Sequence, residues 1–256
     1  MVNIHPVPAF SDNYIWLLHD DQGRAAVVDP GDANPVITEL EARELQLTDI
    51  IITHHHFDHV GGLAQLRESY SPRVHGPHNP GIEGIDNRLG DGDRAQVLGL
   101  EFEVMAVPGH TLDHIAFFHD GDPPLLFCGD TLFAGGCGRL FEGDPPMMLR
   151  SLDTLAALPA PTRVYCAHEY TLANLEFARA VEPGNAALRQ RVQDAQDTRA
   201  RAEPTVPSDI ALELATNPFL RCREPALVDS LREQGRLDDA SPERVFATVR
   251  GWKDSF

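Results

Sequence analysis

A chain of 256 residues, 42% hydrophobic and 23% charged, is long enough to bury a substantial core and too apolar for gross disorder. Its formal charge of −18 repels phosphate backbones and argues against nucleic-acid partners, yet a few Arg and Lys residues could still hold an anionic small molecule. Four widely spaced cysteines form no C-x-x-C pair, and neither a signal-like leader nor a run of about 20 apolar residues is seen, so free thiols in a cytoplasmic, non-membrane protein are expected.

Along the chain, short β-type runs alternate with Gly, Pro and Asp turns. Residues 14–18, 25–28, 50–52, 102–107, 115–118, 125–127 and 164–166 read as buried strands. Residues 35–46, with Val36, Ile37, Leu40 and Leu45 at helical spacing, and residues 145–158 read as helices opened by prolines suited to a first turn. Mixed strands and helices predict a layered α/β architecture. After about Tyr170 the texture becomes helical, over 172–181, 186–202 and 242 to about 253, with 203–208 as a connector and no strand. The expected division is 1–170 for the α/β domain and 171–256 for a small helical one.

Four strand-like runs end in residues able to bind metal: I-I-I-T-H into His54, V-M-A-V-P-G-H into His110, L-L-F-C-G-D into Asp130 and V-Y-C-A-H into His168. Side chains at strand ends converge at one edge of a sheet, so residues over a hundred apart can share a site. In T-H-H-H-F-D-H, His54 and His56 are two apart and point the same way in an extended segment, whereas His55 points oppositely and is not expected to ligate. Asp58 and His59 follow at a turn, where the chain can aim a second pair of ligands. Imidazole and carboxylate donors suit zinc, iron or manganese, and a carboxylate such as Asp130 has two oxygens with which to bridge two ions. Two such ions could activate water and polarise a carbonyl, which implies hydrolysis.

The remaining histidines carry less. His5, His19, His75, His78 and His119 lack companions in the sequence and read as ordinary surface or turn residues. His114 is better read as a structural hydrogen bonder than as a support for the ligands. Asp29, in V-V-D-P-G, either orients a ligand histidine or caps a turn.

The segment 53–59 resembles the H-x-H-x-D-H signature of the metallo-β-lactamase superfamily, with His110, Asp130 and His168 matching its later ligand positions in order. That resemblance implies an αββα sandwich with a dinuclear centre, in which His54, His56 and His110 hold one metal, Asp58, His59 and His168 the other, and Asp130 bridges. G-C-G-R-L-F-E-G (136–143), A-H-E-Y-T (167–171), N-P-F-L-R (217–221) and R-G-W-K-D (250–254) are similar to the glyoxalase II family. The resemblance implies cleavage of S-D-lactoylglutathione and related 2-hydroxyacyl thioesters to glutathione and D-lactate or the matching acid, the second step of methylglyoxal detoxification. It implies two divalent ions, zinc first, and hydroxide on the metals as nucleophile in place of a protein side chain; a monomer is expected. Arg139, Tyr170, Arg250 and Lys253 would contact glutathione. Phe141 stands where some members have tyrosine, and is a weaker contact candidate.

Three rivals share parts of this pattern. A lactonase of the same fold would keep the ligands without a glutathione site. An iron-dependent persulfide dioxygenase also handles glutathione, but resembles the C-terminal region less and would consume oxygen. A metal-binding module without catalysis would take up metal and leave the thioester intact.

Overall fold

In the computed structural model, which describes residues 2–256, the first half of the chain is rich in strands and the last third is helical. The chain forms two compact units. One runs through Ala106 and takes in Asp113–Gly129; the other comprises Val107–Leu112 and Asp130–Phe256.

The first unit opens with β1 (Val2–Ala9), β2 (Asn13–Asp20) and β3 (Arg24–Val28), followed by α1 (Ala33–Ala42), β4 (Gln46–Ile51), α2 (Phe57–Val60) and α3 (Leu63–Tyr70). β5 (Arg73–Pro77) and β6 (Asn87–Leu89) complete a sheet in the order β1-β2-β3-β4-β5-β6, antiparallel as far as β3 and parallel beyond it. Val7, Ile15, Leu17, Val27, Ile50 and Val74 bury one core with Val36 and Leu40 of α1 and Leu63 and Leu66 of α3. Their alternates Trp16, Leu18, Ala26, Val28 and Ile51 are also buried, so this sheet is covered on both faces. The unit ends in an antiparallel run of β7 (Arg94–Val97), β8 (Leu100–Ala106), β9 (Ile115–His119) and β10 (Leu125–Gly129).

Two differences from the expected elements have local causes. β1 contains Pro6 and Pro8, which argue against a strand, but it lies at the sheet edge, where a missing N–H costs no ladder bond. The helix expected to reach residue 46 stops at Ala42, because Glu44 turns left-handed at φ 54° and the Leu45 N–H bonds back to the Leu40 carbonyl. Leu45 still packs on the core after the helix has ended, which prolongs the periodicity. Residues 63–70, not expected as an element, form α3.

In the second unit, β11 (Leu132–Phe133) and β12 (Gly136–Cys137) form a small hairpin. After it come α4 (Pro145–Ala156), β13 (Arg163–Cys166), α5 (Thr171–Val181), α6 (Ala186–Ala200), β14 (Ser208–Asp209), α7 (Ile210–Thr216), α8 (Pro225–Glu233) and α9 (Pro242–Ser255). The expectation of no strand after residue 170 fails at β14, a two-residue polar strand paired with β13 and too short to leave a hydrophobic pattern. Its Asp209 then caps α7 by accepting the Leu212 N–H.

A buried polar network braces the hairpin. Glu213, paired with Arg191, accepts the Gly135 N–H at 2.9 Å, and Asn217 donates to the Phe133 and Gly136 carbonyls at 3.2 and 2.9 Å. The N-P-F-L-R segment thus supplies a side chain that satisfies backbone acceptors which would otherwise be costly to bury.

Candidate metal centre

The first unit supplies four of the expected ligands. β4 ends at Ile51, and the extended stretch after it carries His54 and His56 before α2 begins. His54 Nε2 lies 3.1 Å from His56 Nδ1. Two imidazoles on one tetrahedral zinc, each with Zn–N of about 2.0–2.1 Å, would have nitrogens about 3.3 Å apart, so the pair suits one ion. The other ring nitrogen of His54 lies 3.0 Å from the Thr53 hydroxyl. His55 turns to Asp113, with Nδ1 2.8 Å from Oδ1.

In α2, His59 Nε2 lies 3.5 Å from Asp58 Oδ2, which also accepts a 3.0 Å bond from Asn13. Asp29 directs its carboxylate to Thr53 and His59 and not to its own turn. Its Oδ1 accepts the Thr53 N–H at 2.7 Å, and its Oδ2 accepts the Thr53 hydroxyl at 2.8 Å and lies 3.1 Å from His59 Nδ1. Gly31 lets this turn back onto the ligand segment: a Cβ there would sit 1.9 Å from the Asp58 carbonyl oxygen. His114 bonds at 3.2 Å with the Ile115 carbonyl through Nδ1 and stacks on His54 with centroids 4.5 Å apart.

The second unit supplies the other three. Asp130 presents its two oxygens to different histidines, Oδ2 3.4 Å from His110 Nε2 and Oδ1 3.3 Å from His168 Nε2. That is the arrangement a bridging carboxylate needs. His110 Nδ1 donates to the Arg139 carbonyl at 2.8 Å, which fixes the tautomer that leaves Nε2 open as a ligand. His168 stacks on Tyr170 with centroids 4.6 Å apart and planes 3° apart.

Across the two units the donors are chemically uniform: imidazole nitrogens and carboxylate oxygens, mostly buried, with His54 and His59 at 0% exposure and His110, His168 and Asp130 at 4–6%. Burying so many titratable groups is expensive unless an ion repays it. This set fits divalent cations of intermediate hardness. Burial pushes the Cys137 thiol up to about 11 and Cys166 up to about 12, so neither offers a thiolate at neutral pH.

Comparison with known proteins agrees with this chemistry. Residues 9–168 match the metallo-beta-lactamase superfamily, and residues 169–256 match the hydroxyacylglutathione hydrolase C-terminus. A hydroxyacylglutathione hydrolase of Pseudomonas aeruginosa is 57% identical over 258 residues, and one of Chromohalobacter salexigens 56% over 257, each match covering 100% of both chains. The chain belongs to the hydroxyacylglutathione hydrolase family, within the metallo-β-lactamase superfamily. Its α/β fold with a helical C-terminal region is that of the superfamily. Among solved structures, ETHE1 from Myxococcus xanthus is similar at TM-score 0.66 and 25% identity, covering 100% of this chain and 99% of that one. TTHA1623, solved in a di-iron-bound form, has TM-score 0.62 and 26% identity, covering 84% and 100%.

The residues expected to contact glutathione in this family member differ in access. Phe141, Arg139 and Tyr170 are exposed, and Lys253 is half-buried with Nζ 3.1 Å from the Ala173 carbonyl. Arg250 is buried. Asn13, Thr53 and the Arg139 carbonyl, which contact Asp58, His54 and His110, carry no signal in the sequence that marks them. No helix among the described residues is long and apolar enough to cross a membrane.

Proposed function

We propose that the chain hydrolyses S-D-lactoylglutathione, and other S-2-hydroxyacylglutathiones, to glutathione and the free 2-hydroxy acid, the second step of methylglyoxal detoxification. The observation that carries this reading is the hydroxyacylglutathione hydrolase match over residues 169–256, continuous with full-length relatives of that name. His54, His56 and His110 would hold one divalent ion, Asp58, His59 and His168 the other, with Asp130 shared. Zinc is our assignment, although the di-iron-bound form of TTHA1623 accords with iron at such donors. When bound, the ions supply Lewis acidity and lower the pKa of water.

The chain's own groups bind and orient. Thr53, Asp29 and the Arg139 carbonyl fix three imidazoles, and the thiols stay protonated in the core. A thiolate is a good leaving group, so no dedicated general acid is required of the protein. Arg139, Phe141, Tyr170, Arg250 and Lys253 form the glutathione site, whose cations answer the two carboxylates of the peptide. By role, we divide the chain into a catalytic domain over 1–170 and a substrate-binding helical domain over 171–256, which accords with the change of family match at 168/169. We assign it as a cytoplasmic monomer acting on a small molecule, with no nucleic-acid or membrane partner.

The decisive experiment compares lactoylglutathione with a thioester lacking the peptide, using purified protein of measured metal content. A strong preference for lactoylglutathione is expected, and equal rates on both would remove the glutathione assignment. A second expectation concerns Lys253, which burial and then the neighbouring Arg250 charge hold below the ordinary lysine value, with Glu176 opposing. Lys253→Ala should raise KM for lactoylglutathione about tenfold at nearly constant kcat, the effect of losing one charge-assisted bond. A depressed lysine sheds its proton early as pH rises. KM of the wild type should therefore begin to climb at a pH below the ordinary lysine value, while that of the variant stays flat.

A further inference from the structure

We propose that His5 and His19 form a further metal-ion site, sharing no residue with the centre described above, for a divalent transition-metal ion that favours imidazole, such as zinc. The two histidines are 14 residues apart and have no companions in the sequence, but the pairing of β1 with β2 brings their rings together.

In the antiparallel register Asn3 faces His19 and His5 faces Leu17, which makes His5 and His19 diagonal neighbours, a relation within reach of long side chains. Each stands two residues along its strand from a core residue, Val7 or Leu17, so both rings leave the sheet on the face that packs with α1. Both are half-buried, which leaves them less rotamer freedom to lose on binding than a fully exposed ring has. Their Nε2 atoms lie 3.1 Å apart, and the rings are nearly parallel, at 9°, with centroids 5.1 Å apart. Tetrahedral zinc, with Zn–N of about 2.05 Å, would hold two imidazole nitrogens about 3.3 Å apart and the ring centres about 5.2 Å apart. A straight N–H···N bond of the observed length would instead separate the centres by about 5.4 Å. The rings are therefore bent toward a common point, as a chelating pair must be.

Metal binding needs neutral imidazole, and the surroundings supply it at His5. Burial, then the charges of Arg43 and His19, hold that ring below the ordinary histidine value, with Glu39 opposing, so it carries no proton to displace at neutral pH. Glu39 and Arg43 are joined by a 2.8 Å bond and both are exposed, so their opposite charges largely offset each other at the site. Affinity then rests on the two imidazoles, with water completing the coordination. Structural zinc sites use four protein ligands and catalytic ones three, so a two-histidine site is weaker and fills only once zinc exceeds what the other centre takes. An ion held there would tie the edge strand β1 to β2, which places its effect on the stability of the sheet and not on the reaction.

The test uses the full chain, free of any polyhistidine tag, as wild type, His5→Ala and His19→Ala, with His78→Ala as the control for a lone exposed imidazole. Each is dialysed against zinc in stepwise excess, bound zinc per chain is measured by elemental analysis, and thermal unfolding is followed at the same steps. Wild type and His78→Ala are expected to bind one more zinc ion per chain than His5→Ala or His19→Ala. Their Tm should rise with zinc over the range in which that ion binds, while the Tm of the other two variants stays level. The chains compared differ only at these rings, so the number of ions held elsewhere cancels, and the result stands whatever the other centre binds or hydrolyses. Equal zinc in wild type and in both variants overturns the proposal and leaves His5 and His19 a hydrogen-bonded pair. Loss of the same ion in His78→Ala overturns it too, as scattered uptake by surface histidines. Should an alanine variant fail to fold by circular dichroism, His5→Gln or His19→Gln takes its place under the same zinc criterion.

Discussion

Asp130→Ala is expected to lower hydrolysis of lactoylglutathione by more than about 100-fold, beyond what losing a mere supporting partner costs. Bound metal, measured by elemental analysis, should fall from two ions per chain to one or none. The expectation follows from how the carboxylate is shared. Its two oxygens lie 3.3 and 3.4 Å from nitrogens of two different histidines, and the residue is 6% exposed, so no water-filled space stands ready to replace it. Asp130→Asn refines the result: the amide keeps the shape and one ligating oxygen, but turns an N–H₂ toward the other histidine. It should keep the fold and one ion while losing most of the rate. A variant with two bound ions and near-native turnover would show that Asp130 is not shared.

The sequence marked the candidate ligands more readily than the groups that touch them. His54, His110, Asp130 and His168 each follow a strand-like run, a pattern visible in one dimension because ligand and strand are contiguous. Apart from Thr53 beside His54, the groups that touch the candidate ligands are not contiguous with them. Asp29 is 24 residues from Thr53, and Asn13 is 45 from Asp58, so neither pairing leaves a spacing to find. The Arg139 support for His110 is a backbone carbonyl, which no side-chain pattern marks. β1 and the end of α1 depart from expectation for related reasons, since edge position and a left-handed turn are properties of the sheet and backbone.

Arg250 shows how one sequence signal can mask another. Its i, i+3 relation to Lys253 suggests a shared cationic face. On α9, however, the buried residues are Val245, Phe246, Val249 and Arg250, and Arg250 falls four after Phe246 on the apolar stripe. Helical periodicity alone therefore turns it inward. Lys253, four after Val249, lies at the margin of that stripe and is half-buried. Depth within one helix face separates the two cations that spacing alone joins.

Asp29 offers the clearest separation of stability from metal binding. Asp29→Ala is expected to cost about 2–4 kcal/mol in denaturant unfolding: roughly 1–3 for leaving the buried Thr53 N–H without its acceptor and about 1 for a less tolerant residue in the left-handed region. The native backbone there has φ 54°, and both Asp29 and Thr53 are at most 4% exposed. Asp29→Asn should cost only about 1 kcal/mol, since an amide oxygen can still accept the Thr53 N–H and Asn tolerates the same backbone. Its N–H₂, however, would face His59 Nδ1, which the native carboxylate approaches to 3.1 Å. Two donors cannot pair, so the ring would favour the tautomer protonated on Nε2, the nitrogen facing Asp58. Zinc affinity should then drop about 10–100-fold in a protein that remains folded. Native zinc affinity in Asp29→Asn would mean that Asp29 serves only Thr53, and that His59 takes its orientation from elsewhere.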